Sequence, residues 1–214
     1  MEIAIPLYPG YTVLDAVGPY EVLSRLPGAR VRWLAAEPGP MTPESGQLTL
    51  MADAPYEAAP SPDLILVPGG TGTRAVLDDE RLLSWLRGAH ETSTWTTSVC
   101  TGSLLLGAAG ILDGLRATSH WTELDALAGF GAIPTDERVV AEGKVVTSAG
   151  VSSGIDMGLW LAGQIAGEDF AKALQLMIEY DPQPPFDSGS TAKAGPELVA
   201  LVRSAAESFR AASA

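Results

Sequence analysis

The chain has 214 residues, 46% of them hydrophobic, which suits one domain with a substantial core and is too apolar for disorder. Its net charge of −13, from 26 acidic and 13 basic residues, argues against nucleic acid or an anionic membrane as partner. A small uncharged organic molecule is the ligand most easily reconciled with that sign. One cysteine permits no intramolecular disulfide, no basic-then-apolar leader precedes the first strand-like segment, and no apolar stretch is long enough to span a bilayer. A cytoplasmic protein is the expectation.

In chain order, residues 2–7 read as a strand, and 19–26 as a helix with Gly18-Pro19 as its start signal. A second strand is expected over 31–36, then a loop with short extended pieces over 40–51. Residues 64–67 are wholly apolar and precede Pro68-Gly69-Gly70, the signature of a buried, central, parallel strand. An amphipathic helix follows over 79–91, a strand over 95–99 and a helix over 102–109. A short helix is expected over 121–128, and Ala141-Glu142-Gly143-Lys144 joins two valine pairs as a hairpin. Ser153-Gly154-Ile155-Asp156 has the form of a capping box opening a helix to about residue 165. Helices over 169–180 and 196–212 flank a Pro, Gly and Ser-rich loop. Alternating strands and helices give an α/β fold: a single-domain three-layer sandwich over residues 1–214, a mostly parallel central sheet with helices on both faces.

Cys100 sits where a β-prone run meets a Leu-rich helical run, the setting of a nucleophile elbow. A helix N-terminus at that point favours thiolate. A lone cysteine also serves as a small buried hydrophobe. Asp15, a carboxylate in an apolar run, reads either as a helix cap or as a group held protonated against the thiol. Gly69, Gly70 and Gly72 form a plain turn or, with the Thr101 N–H, an anion-stabilising wall. A phosphate loop is disfavoured because no Gly-Lys-Ser/Thr ending follows. His120 is the base to try beside the cysteine, while His90 ends an amphipathic helix and reads as surface. One Cys and two scattered His offer no metal-ligand spacing.

At these residues the chain resembles a known family. Leu14-Asp15 with Gly18-Pro19, Pro68-Gly69-Gly70-Thr71-Gly72, Ser98-Val99-Cys100-Thr101-Gly102-Ser103, Thr118-Ser119-His120-Trp121, Gly154-Ile155-Asp156 and Pro184-Pro185-Phe186 recur in this order in the PfpI-like superfamily of the glutamine-amidotransferase-like fold. The likeness is greatest to its isocyanide (isonitrile) hydratase branch. Thr101 stands where the protease branch has His, and Asp15 where the deglycase branch has Glu. Regulators with a similar N-terminal domain carry a helix-turn-helix domain afterwards, which this sequence does not show. The resemblance implies hydration of an isocyanide to a formamide, with Cys100 as nucleophile, Asp15 as acid and base, and Thr101 assisting. Gly69, Gly70, Gly72, His120 and Trp121 would line the pocket. It implies no cofactor, no metal and a homodimer. A glyoxalase or deglycase-type enzyme on the same site, or thiol-based sensing without catalysis, are the other readings.

Overall fold

The computed structural model describes residues 1–212 and divides into two units, Met1–Leu174 and Gln175–Ala214. In the first unit the strands are β1 (Glu2–Pro6), β2 (Arg30–Ala35), β3 (Gly39–Met41), β4 (Leu50–Ala52), β5 (Ala54–Pro55), β6 (Leu64–Val67), β7 (Trp95–Val99), β8 (Arg116–Ala117), β9 (Ile133–Pro134), β10 (Val139–Glu142) and β11 (Val145–Ser148). Its helices are α1 (Val13–Leu23), α2 (Glu80–Thr92), α3 (Gly102–Ala108) and α4 (Ser153–Ala166). Three segments are 3₁₀-helical: Tyr56–Ala58, Thr71–Val76 and Leu124–Phe130. Helix α5 (Glu168–Met177) follows, and the second unit carries α6 (Thr191–Ala194) and α7 (Pro196–Ala212).

Seven strands form the central sheet, in the order β10-β11-β7-β6-β1-β2-β5. Every neighbouring pair is parallel except β10 with β11. All of β6 is buried, and all of β1 and β7 after the first residue, as expected for strands covered on both faces. Helices α1 and α4 pack on each other, as do α2 and α3, so the sheet is flanked by helices. The α/β class with a mostly parallel sheet agrees with the sequence expectation. Small residues bring α1 and α4 together: a Cβ on Gly154 would press on Val99 and Pro19, and one on Gly158 on Val22.

Connections leaving β1 and β6 run to opposite sides of the sheet, which opens a crevice at the carboxyl ends of these two strands. The loops after β1, β6, β7 and β11 meet there.

Three local expectations differ. Helix α1 starts at Val13, so Pro19 lies inside it rather than at its start. Thr12 is the N-cap but its side chain caps nothing; its hydroxyl donates to Glu44 Oε1 at 2.8 Å, and the usual start signal is absent. The capping box at 153–156 does not form. Ser152 is the N-cap, the Ser153 hydroxyl is buried without a partner, and Asp156 pairs with Arg138. The short helix over 121–128 is instead the 3₁₀ segment Leu124–Phe130.

In the second unit, Gln175 and Tyr180 bond each other across the end of α5, and Lys193 pairs with Asp187 at 2.6 Å. Phe186 is 77% exposed.

Candidate active site at the carboxyl edge of the sheet

Cys100 follows β7 directly and adopts a left-handed backbone, φ 59°. Such a conformation costs a non-glycine residue on the order of 1–3 kcal/mol and persists only where neighbours dictate it. Here they do. Its N–H lies 3.0 Å from Ser148 O and 2.8 Å from Ala149 O, and its carbonyl accepts from the Ser103 and Ser119 hydroxyls, both at 3.1 Å. This is the strand-to-helix elbow expected from sequence. The residue is 5% exposed. Two backbone N–H groups, of Thr101 and Val151, and the Thr101 hydroxyl point at its sulfur.

Asp15 is the third residue of α1 and is 0% exposed. It caps no helix. Its Oδ2 accepts from Gly69 N at 3.0 Å, which ties the start of α1 to the loop after β6 across the crevice. Oδ1 is buried without a properly placed donor. The carboxyl's remaining polar neighbour is the Cys100 thiol.

Burial pushes the Asp15 carboxyl up to about 7; the Gly69 N–H and Cys100 oppose this, and the charge of Glu44 adds to it. Burial also pushes the Cys100 thiol well above its ordinary range, and Asp15 pushes in the same direction. The N–H groups of Thr101 and Val151 pull the other way without prevailing. Desolvation thus works against the thiolate that the start of α3 is expected to favour. Two acids side by side in a dry site resist ionising together, so the Asp15 carboxyl and the Cys100 thiol titrate as a coupled pair.

The three glycines serve the site differently from an anion wall. Gly69 N goes to Asp15, Gly70 N donates to Thr101 Oγ1 at 2.8 Å, and Gly72 N donates to Gly10 O at 3.0 Å. A Cβ on Gly69 would fall on the backbone and hydroxyl of Thr101, and one on Gly70 on Gly10 and Thr12. Glycine is needed so that the loops after β1, β6 and β7 can touch. Gly70 also has φ 145°, which side-chain-bearing residues rarely adopt.

His120 lies at the site, its ring edge against Gly150, one residue before Val151. It does not present the base that the sequence suggests. The Thr122 N–H lies 3.3 Å from Nδ1, so in the neutral ring Nδ1 accepts and Nε2 carries the hydrogen. Burial lowers its pKa, favouring that neutral form. Trp121 is half-buried, its ring centroid 5.8 Å from that of His120. His90 is half-buried rather than on the surface, and its Nδ1 lies 2.8 Å from Thr96 Oγ1.

Several site groups carry no signal in the sequence. Val151 and Ser119 act on Cys100 through a backbone N–H and a hydroxyl. Glu44 accepts from Thr12 Oγ1 at 2.8 Å and Thr71 N at 3.1 Å, which places a carboxylate at the rim. It comes from a loop with no periodicity to read.

Residues 1–164 match the DJ-1/PfpI family. The chain is 44% identical over 190 residues to an isonitrile hydratase of Pseudomonas putida, covering 89% of this chain and 83% of that protein. It is 34% identical over 173 residues to an HTH-type transcriptional regulator of Pseudomonas aeruginosa, 77% of this chain but 51% of the regulator, so it spans about half of that relative. Among solved structures, a ThiJ/PfpI family protein from Pseudomonas syringae superposes with a TM-score of 0.89 at 41% identity, covering 98% of this chain and 90% of that one. With the family match across most of its length, this chain belongs to the DJ-1/PfpI family.

Proposed function

We propose that this protein hydrates organic isocyanides to N-substituted formamides. One observation carries the reading: a carboxyl raised to about 7 is buried against the only thiol of the chain. The kinship with the P. putida isonitrile hydratase supports it.

The terminal carbon of R–N≡C takes up both a nucleophile and a proton. The pair holding one proton is the competent form. As the Cys100 sulfur bonds that carbon, the thiol proton passes through Asp15 to the same carbon, leaving the thioimidate R–N=CH–S. Asp15 then takes a proton from water as the water oxygen adds to that carbon and passes it to the imine nitrogen, giving R–NH–CH(OH)–S. Collapse breaks the C–S bond, releases R–NH–CHO and returns the proton to the pair. The N–H groups of Thr101 and Val151 steady charge on sulfur as it departs. Each step uses groups that the chain itself supplies. The resemblance also carries the expectation of a homodimer, which light scattering on the purified protein reads directly.

Mass spectrometry after brief exposure to an alkyl isocyanide tests the mechanism. The expected product is Cys100 heavier by one whole isocyanide. Steady formamide production with Cys100 never modified would overturn the thioimidate. Methylglyoxal turned over in preference to the isocyanide would move the assignment to a glyoxalase-type enzyme.

A further inference from the structure

Behind Thr101 a line of hydroxyls runs away from the sulfur into the protein. Thr101 Oγ1 lies 2.8 Å from Thr73 Oγ1, which lies 2.9 Å from Tyr8 Oη. Tyr8 Oη is also 2.8 Å from Pro68 O, and Thr101 Oγ1 is 3.1 Å from Gly70 O. Tyr8 and Thr73 are both buried, so bulk water reaches the string only at its half-buried Thr101 end. We propose that Tyr8 and Thr73 are positioning residues that re-orient the Thr101 hydroxyl so that its hydrogen follows the charge on the Cys100 sulfur. The string's catalytic consequence rests on the hydratase reading; its effect on the thiol does not.

Hydrogen counting carries the argument. Three hydroxyls supply three hydrogens, and five links compete for them: Pro68 O, Tyr8 with Thr73, Thr73 with Thr101, Gly70 O, and the sulfur. They cannot all form together. With a neutral thiol, Tyr8 donates to Pro68 O, Thr73 to Tyr8, and Thr101 to Thr73 or Gly70 O. With charge on sulfur, Thr101 turns its hydrogen to it, and Thr73 donates to Thr101 in turn. The Gly70 N–H donates to Thr101 Oγ1 in both arrangements and holds the oxygen still while the hydrogen moves. No bond to a heavy atom is made or broken; only hydroxyls rotate. A donor behind the Thr101 oxygen strengthens the hydrogen bond it makes to sulfur.

Cys100 is the only cysteine, so the pH dependence of its alkylation by iodoacetamide reads this one thiol. Thr73→Val is expected to move the alkylation midpoint up by about half a pH unit at most, because the bond Thr73 donates behind a charged sulfur is stronger than the one it gives Tyr8 when the thiol is neutral. Tyr8→Phe is expected to move it the other way, down by a few tenths of a pH unit, because it removes the acceptor that Thr73 uses only while the thiol is neutral. Thr73→Ser, which keeps the hydroxyl, retains the wild-type midpoint. Because the three act as one string, Tyr8→Phe adds nothing in the Thr73→Val background. A Tyr8→Phe profile overlaying the wild type, a Ser variant displaced like Val, or additive shifts in the double variant would each overturn the proposal. Should Thr73→Val not fold, Tyr8→Phe and Thr73→Ser decide it. Shifted profiles in a protein inert to isocyanides would keep the string and retire the hydratase reading. Isocyanide hydration with unshifted profiles would do the reverse.

Discussion

Strand β7 has a polar cluster at each end, and the two are built to opposite rules. At its start, Thr96 Oγ1 lies 2.8 Å from His90 Nδ1 and 2.9 Å from Ser93 Oγ, while Lys144 Nζ donates to the carbonyls of His90, Glu91 and Ser93 at the end of α2. Every one of these side chains has a partner, and the cluster closes a helix terminus. At its other end, Cys100 is strained, and Asp15 Oδ1 is buried without a properly placed donor. The first cluster is half-buried and the second nearly dry, and each shifts the pKa of a titratable group. A shifted group whose neighbours satisfy it serves the fold. A shifted group left incompletely satisfied keeps a proton available for chemistry.

The largest effect separating the two ends is expected from Cys100→Ala. Formamide production should fall by about a thousandfold or more, with circular dichroism unchanged. Activity near that of the wild type would remove Cys100 from the mechanism.

Asp15→Asn comes next, with a loss of about 10²–10⁴ in kcat/KM, because an amide cannot relay the proton. The sign of the pH dependence follows from the raised carboxyl. Below about 7 the pair holds two protons and lacks a base, so wild-type activity should rise as pH climbs through about 7. The Asn variant should lose that limb. Stability should show the same group in reverse. A carboxyl whose folded pKa lies above its unfolded value destabilises the fold as pH rises from about 4 to about 7. Thermal melts of the wild type should therefore lose ground over that window relative to Asp15→Asn. Parallel pH–Tm curves would show that the carboxyl is not raised.

The smallest catalytic effect is expected at the other end of the strand. Thr96→Val leaves His90 Nδ1 and the Ser93 hydroxyl without their shared partner and should cost about 1–3 kcal/mol of stability in denaturant titration. Its kcat should be unchanged, since four residues of strand, about 13 Å, separate it from Cys100. A kcat loss larger than the stability loss accounts for would erase the distinction between the two ends.

Much of this was legible from residue order. The strand at 64–67 is bounded by Pro-Gly on one side, and that at 95–99 by the cysteine turn, so both read to the residue. Helix α2, expected from residue 79, starts one residue later, with Asp79 as its cap accepting from the N–H groups of Arg81 and Leu82. Helix α1 was harder, because the Thr12 hydroxyl that would mark its start goes to Glu44 and Pro19 imitates a beginning further on. The failed capping box has a similar cause: Arg138 on a neighbouring loop takes the Asp156 carboxylate.

The sequence by itself determined the alternation of strands and helices, the elbow at Cys100 and the candidacy of Asp15. These depend on local residue types: apolar runs, glycines and one thiol at a strand-to-helix junction. Only the tertiary structure decided that Asp15 meets the sulfur, that the glycine N–H groups go to Asp15, Thr101 and Gly10, and that His120 turns an acceptor toward Thr122. Tertiary structure also decided how the pair titrates. A thiol at the start of a helix favours its anion when wet, but with Cys100 5% exposed and Asp15 0% exposed, desolvation prevails over the helix end. Desolvation depends on what surrounds a group in space, and no run of neighbouring letters records it.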